Sequence, residues 1–394
     1  MKTNPHICIG EYIDSYFPAV DGVIVSVQNY ARWLNEDHCE CYVATTDAPK
    51  DYKDTDPFRV IRYHSMPIPN RPPYRFGVPL LDWGYIAEQH QMYPNLVHAH
   101  SPFLAGREAL RIAKMRNIPL VASFHSKYYD DILQVTNSKF LSETAIKLIV
   151  DFYNEADYVW TVNKGTAETL REYGYKRELE LMPNGTDFFM PPDIDTAIAQ
   201  VNKRFGFSPE EKIILFVGQH IYQKNPVMLL EAAAMYRQQG GKFKLLMVGE
   251  GYAMNELVRM TEVLGLSDVV IFAGLERDRE KLSACYLRAD VFAFPSIYDN
   301  APLVIREAAM AKCPSIMIAG TNASENCVDN ENAFLCENTP DSLCDAFIRA
   351  FADDENRKRV GLRASETIAR PWREIIDIVF ERYQSILEEY KCKK

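Results

Sequence analysis

No stretch of the chain approaches the roughly 20 consecutive apolar positions of a membrane span, and the opening "MKTNPHICIGEYID" has no basic head followed by an apolar run. A soluble, unprocessed protein is expected. Cysteine is also missing in any useful pattern: the nine residues are odd in number and scattered, and the nearest pair, Cys39 and Cys41, is separated by a single residue. That excludes a disulfide framework and favours a reducing cytoplasm. Long blocks of one charge are absent too, because 44 basic and 54 acidic residues are intermixed to a net charge of -10, which speaks against nucleic acid as a partner. A local basic patch for the inner face of a membrane stays open. There is no GxGxxG dinucleotide fingerprint, and the histidine contexts call for no metal.

What the chain does have is apolar bulk, 47% of 394 residues, enough at about 100 to 200 residues per domain for two domains. Short runs rich in Val, Ile, Leu and Phe, each followed by a helix-like period, recur as "HICIGEY", "NLVHAH", "PLVASFH", "YVWTVN", "KIILFVGQ", "KLLMVGE", "VVIFAGL" and "DVFAFPS". Continuous apolar strands alternating with helices predict an α/β protein with parallel sheets covered on both faces. The series pauses at "LMPNGTDFFMPPDIDTA", which places a boundary near Pro191, dividing 1–190 from 191–370. The closing segment 371–394 keeps Trp372, Ile375, Ile376, Val379, Phe380, Tyr383, Leu387 and Tyr390 on one helical face, so it must dock on something large, plausibly across both domains.

Open α/β sheets bind ligands beyond the carboxyl ends of their strands, and the unusual residues fall there. After "DVFAFPS", Pro302 fits a helix start whose amides suit an anion, with Asp299 before it and Glu307 inside the helix. A cap by Asp299 or Asn300 with a surface Glu307 is the plainer alternative. After "KIILFVG", Gly218 marks a turn, and Lys224 lies near the positive end of a helix, where a bound anion explains it better than helix stability does. Gly249 and Gly251 form a bare GxG, which turn geometry alone could explain. In the first half, Gly22 lies between a strand and an apolar-faced helix and could admit a phosphate or sugar, or be a plain turn glycine. His98, His100 and His125 each lie at a strand end, and "SFHSKYYDD" gives His125 the most exposed-looking context. A lone histidine is nevertheless more often a satisfied core residue.

With these residues collected, the chain resembles the family 4 glycosyltransferases, retaining nucleotide-sugar enzymes with two facing Rossmann-like domains, the GT-B fold. The most specific mark is an acid, seven residues, then Glu, matched by Asp299 and Glu307 with the "LVIREA" tail. "SVQNYARWL", "VHAHSPFLAG", "PLVASFHS", "ADYVWTVN", "LMPNGTD", "FVGQHIYQKN", "MVGEG" and "PWREI" support it along nearly the whole chain. The resemblance implies that Glu307 holds the ribose hydroxyls and Asp299 the donor sugar. It implies that the amides of Ala301, Pro302's neighbour Leu303 and Val304 meet the sugar and diphosphate, and that Lys224 neutralises the leaving diphosphate. Gly22 would let the diphosphate approach, Gly218 would belong to the substrate-binding residues, and His125, in the family's "HT" position, would touch the sugar near the reacting carbon. Two positions depart from the pattern: Asp299 stands where Glu is usual, and Gln219 stands where an Arg usually pairs with the diphosphate, leaving His220 as a partial substitute.

The implied reaction is hexosyl transfer with retention from a nucleotide diphosphosugar, UDP-glucose first on family frequency, to an acceptor hydroxyl, with no cofactor and no metal where lysine and amides carry the charge. The segments "MPIPNRPPYRFGVPLL" and "KYYDDILQVTNSKFLSETAIKLIVDFYN" are similar to parts of bacterial enzymes that glycosylate diacylglycerol at the membrane surface. A Pro-rich loop and a core-facing helix are their plainer reading. A sugar-nucleotide epimerase is disfavoured by the acid-to-Glu spacing. An inactive sugar-nucleotide-binding homologue has Gln219 alone in its favour.

Overall fold

The structure, a computed structural model, describes residues 7–68 and 75–392. The chain divides into two compact units, Met1–Asn184 with Trp372–Lys394, and Gly185–Pro371. The division falls a few residues before the expected boundary at Pro191, because Thr186 already belongs to the second unit, where it bridges to Pro371 and its amide donates to the Arg370 carbonyl at 2.8 Å.

The strands of the first unit are β1 (Cys8–Tyr12), β2 (Glu40–Thr46), β3 (Arg59–Tyr63), β4 (Met66–Pro67), β5 (Arg75–Phe76), β6 (Leu96–Ala99), β7 (Leu120–Phe124), β8 (Tyr158–Thr161) and β9 (Glu180–Leu181). Seven of them form one sheet in the order β3-β2-β1-β6-β7-β8-β9, and β4 and β5 pair antiparallel beside it. Every pairing in the large sheet is parallel, with Ile9 opposite both Cys41 and Leu96. Strands covered on both faces are buried along their whole length, as all five residues of β1 and of β7 are, and β1 stays buried even at Glu11. The order reverses between β1 and β6, so the loops after these two strands open at the switch point where such sheets bind ligands.

The second unit repeats the plan with β10 (Ile213–Val217), β11 (Lys244–Val248), β12 (Val270–Gly274), β13 (Val291–Phe294), β14 (Ser315–Ile318) and β15 (Phe334–Cys336), ordered β12-β11-β10-β13-β14-β15 and parallel throughout. Its switch point lies between β10 and β13. Each unit has its own core, the second centred on such residues as Leu215, Phe216, Leu246 and Phe292.

The C-terminal helix Trp372–Cys392 is counted with the first unit. Six of the eight expected face residues, from Trp372 through Tyr383, are buried, and Ile386 continues that face where the sequence pattern offered Leu387. Trp372 lies edge-on to Tyr30, Tyr383 stacks on Trp160 at 5.3 Å, and Arg382 clamps Glu180 with two bonds of 2.7 and 2.8 Å. Aromatic stacking and a bidentate ion pair on one helix explain why it docks rather than frays.

Candidate active site

In the second unit the loops after β10 and β13 bring Lys224 and Asp299 together. A 3-10 turn, Tyr222–Lys224, ends at the lysine, and Asn225 in left-handed conformation hands the chain to helix Pro226–Gln238. Lys224 Nζ donates to both oxygens of Asp299 at 2.8 and 2.9 Å, and Ser296 Oγ donates to Asp299 Oδ2 at 2.6 Å. The lysine stem crosses the Phe294 ring, its Nζ 5.1 Å from the centroid. Gly218 leaves room for that stem: a Cβ there would come 3.3 Å from Lys224 Cδ. Gly249 and Gly251 serve the backbone instead, since their Cβ atoms would lie 2.0 Å from the Gly218 carbonyl oxygen and 2.3 Å from that of His220.

Helix Leu303–Met310 follows the Asp299 loop. Pro302 is its N-cap, in extended conformation, rather than its first helical residue, and no side chain caps the helix start. The cap by Asp299 or Asn300 is thus not formed: Asp299 is engaged by Lys224 and Ser296, and Asn300 accepts from Asn322 at 2.9 Å. An uncapped first turn presents amides and the positive end of the helix dipole together. Ala301, Pro302, Leu303 and Val304 are all part-buried along this start.

Glu307 is not on the surface. It is 5% exposed, and its oxygens divide between Arg279, whose Nη2 donates to Oε1 at 2.6 Å, and Tyr286, whose hydroxyl donates to Oε2 at 2.9 Å. Arg279 reaches also to the Asp187 carbonyl at 3.2 Å. A buried carboxylate gripped by a guanidinium on one oxygen and a phenol on the other is fixed in direction.

Two basic residues of this unit, His220 and Arg306, differ from expectation. His220 supplies no charge near neutral pH: it is fully buried between Phe216 and Phe272, and burial lowers its pKa to about 4. Arg306, which sequence reading passed over, donates to the Pro302 carbonyl at 3.4 Å, and burial pulls it down to about 10. Among the described residues no carboxylate pairs with it. The signal was there, an arginine inside an otherwise apolar "PLVIREAA".

In the first unit Gly22 opens helix Gly22–Trp33, and a Cβ on it would meet nothing within 4 Å. The helix start is nevertheless capped: Asp21 Oδ1 accepts from the amides of Val23 and Ile24 at 2.9 Å each. A diphosphate arriving there meets a carboxylate and two committed amides, so Gly22 offers space rather than charge.

His125 follows β7 and is half-buried, more open than His98 and His100, which are wholly buried. His100 Nδ1 lies 3.2 Å from His125 Nε2, and His100 Nε2 lies 2.7 Å from Glu11 Oε2. Glu11, His98 and His100 bring ligand-type atoms within 4.8 Å of one another, and each is engaged in hydrogen bonds inside the cluster. The "HAH" of β6 and the acid in an apolar strand were the missed signals.

Residues 20–188 match the model described as Glycosyltransferase Family 4, and residues 198–367 match that of Glycosyl transferases group 1. The chain belongs to glycosyltransferase family 4. Among curated family relatives, alpha-monoglucosyldiacylglycerol synthase of Streptococcus pneumoniae is 27% identical over 316 residues, covering 78% of this chain and 70% of that protein. The enzyme of the same name from Acholeplasma laidlawii is 24% identical over 320 residues, 78% of this chain and 79% of that protein. Two solved structures share the fold. Anabaena Alr3699/HepE in complex with UDP and glucose has a TM-score of 0.78 at 18% identity, covering 96% of this chain and 100% of that one. Sucrose-phosphate synthase from Thermosynechococcus elongatus has a TM-score of 0.80 at 21% identity over 97% of this chain and 100% of its own. This family 4 member is a glycosyltransferase with two parallel-sheet Rossmann-like domains and the GT-B architecture, as the resemblance implied.

Proposed function

We propose that the protein transfers glucose from UDP-glucose, with retention, to the hydroxyl of a lipid acceptor of the diacylglycerol class at a membrane surface. The observation that carries this reading is the Lys224–Asp299 pair beside the uncapped start of helix Leu303–Met310, with Glu307 fixed 5% exposed further along the same helix. An anion at the helix start meets amides and a lysine, a ribose diol finds a carboxylate, and a sugar hydroxyl finds Asp299. Lys224 and the amides would stabilise the departing diphosphate, where charge grows in the transition state. Arg306 at the same helix start supplies part of the charge that Gln219 omits. His125 would act on the transferred sugar near its reacting carbon, as positioning.

The lipid acceptor is supported by the names of the two diacylglycerol-directed relatives and by the surface of the first unit. Helices Tyr128–Thr136 and Lys139–Glu155 form a hairpin turned at Asn137. The longer helix buries Ile146, Ile149 and Phe152 but leaves Phe140 (75%), Leu141 and Leu148 exposed, with Lys139 and Lys147 exposed beside them. Apolar tips flanked by lysines suit an interface between headgroup and acyl chain. The segment around Met66 to Leu81 also exposes Met66, Phe76, Leu80 and Leu81, although its residues 69–74 lie outside the described residues. No helix among the described residues is long and apolar enough to cross a membrane.

The test is nucleotide release from UDP-glucose in the presence of vesicles with and without diacylglycerol. Release that depends on diacylglycerol supports the reading, and release with GDP-mannose but not UDP-glucose would overturn the donor assignment.

A further inference from the structure

Glu11 stands inside β1, opposite Val43 on one side and His98 on the other, with no exposure to solvent. A charge there is costly unless it is neutralised or fully hydrogen-bonded. What surrounds it is a chain of three groups. Glu11 Oε2 lies 2.7 Å from His100 Nε2, and His100 Nδ1 lies 3.2 Å from His125 Nε2, the two rings nearly parallel at 17°. Tyr383, from the C-terminal helix, donates its hydroxyl to Glu11 Oε1 at 3.2 Å. His98 completes the cluster between the Tyr383 hydroxyl at 2.6 Å and the Ser123 hydroxyl at 2.8 Å.

Each link in this chain needs one donor and one acceptor, and a neutral imidazole has one of each. The links are therefore not independent. If Glu11 carries a proton, it donates to His100 Nε2, His100 donates from Nδ1 to His125 Nε2, and the proton of His125 must sit on Nδ1. If Glu11 is ionised, every arrow reverses and His125 carries its proton on Nε2.

We propose that Glu11 and His100 are positioning residues that act through His125: Glu11 holds a proton, the donors run from Glu11 to His100 to His125, and His125 is thereby fixed in the Nδ1–H tautomer. Burial favours this state, raising the Glu11 carboxyl well above its ordinary range and lowering both His100 and His125 to about 3, so the chain is neutral throughout. The other groups facing it, His98, Tyr30, Tyr383 and Cys41, are likewise held neutral by burial. The consequence for transfer, which rests on the assignment of His125 above, is that Nδ1 carries a proton and cannot serve as a base.

The experiment is nitrogen NMR of the full chain labelled with 15N-histidine near pH 7, with His125→Gln used to assign the signals. The expected result is a protonated Nδ1 and an unprotonated Nε2 on His125; a proton on Nε2 would overturn the proposal. Glu11→Gln can donate through its amide as the protonated carboxyl does, so it should keep the tautomer and keep turnover within about threefold of wild type. Loss of the tautomer in that isosteric variant would count against the chain. Glu11→Leu removes the donor and should release the tautomer and lower kcat about tenfold or more with little change in KM for the donor. Should Glu11→Leu fail to fold, the wild-type and Glu11→Gln spectra still decide the matter. A stoichiometric metal held by Glu11, His98 and His100 in the purified protein would also overturn it. Full turnover in His125→Ala would remove the role of His125 in transfer, and the spectra would still report on the chain itself.

Discussion

Glu307 and Lys224 carry the most weight among single residues, and both are held by partners inside the second unit. Because Arg279 and Tyr286 fix the two oxygens of Glu307, replacing the carboxylate with an amide leaves a guanidinium facing a weaker acceptor and presents one N–H where a ribose diol needs an acceptor. Glu307→Gln is expected to weaken UDP binding by about tenfold, read by calorimetry; unchanged affinity would contradict the ribose assignment. Lys224→Ala removes the cation beside the helix start and frees Asp299, so turnover should fall by roughly 10² or more with a smaller change in donor KM. Near-normal turnover would mean that Arg306 alone supplies the charge. The sequence pointed to these two residues through spacing and resemblance, but it could not supply their partners. Arg279 and Tyr286 lie 28 and 21 positions before Glu307, and only the fold brings them into reach. His220 shows the converse: it sits next to Gln219 in sequence, yet the chain turns it into the core.

At the scale of elements, the strand ends and helix starts decide what each loop can do. The helix after β13 begins uncapped and the helix after β1 begins capped by Asp21, a difference that the residues Asp21 and Pro302 determine locally and that spacing alone did not reveal. Strands with unbroken apolar runs, such as β10 and β13, were legible. Strand β3 was not, because Arg59 and Arg62 interrupt an edge strand whose neighbour covers one side only. The histidines of β6 and the loop after β7 give this scale a pH test. Burial lowers His100 and His125 to about 3 and His98 well below its ordinary value, so near pH 5 the unfolded chain binds protons that the folded chain refuses. Stability therefore falls as pH drops through 6.5. Glu11, raised by burial, works in the opposite direction, but three imidazoles outnumber one carboxyl. A loss on the order of 2 kcal/mol between pH 7 and 5, measured from urea midpoints, is expected. Equal stability at the two pH values would contradict the neutral buried cluster. The hairpin of Tyr128–Thr136 and Lys139–Glu155 belongs to this scale too. Phe140→Ser with Leu148→Ser removes exposed apolar area and nothing from the core, so melting should stay within about 0.5 kcal/mol while sedimentation with anionic vesicles drops several-fold. Undiminished vesicle binding would assign that surface no membrane role.

For the whole molecule, two parallel sheets with matching strand reversals, one in each unit, explain why a single chain holds two ligand-binding switch points. The repeated strand–helix pattern made the architecture readable, because continuous apolar runs have few other uses in a chain of this composition. The assignment of the C-terminal helix was harder to read. Its apolar face announces docking, but the partner surface is set by Trp160, Glu180 and Tyr30, which no local pattern connects to it. The chemistry proposed for the molecule has one outcome that no binding experiment reports, the configuration of the new bond. UDP-glucose is an α-linked donor, and transfer on one face with the leaving diphosphate stabilised by Lys224 must give an α-linked product. Incubation with UDP-glucose and diacylglycerol vesicles, followed by proton NMR of the extracted glycolipid, measures this directly. An α-glucosyl lipid is expected; a β-glucosyl lipid from the same donor would contradict transfer with retention.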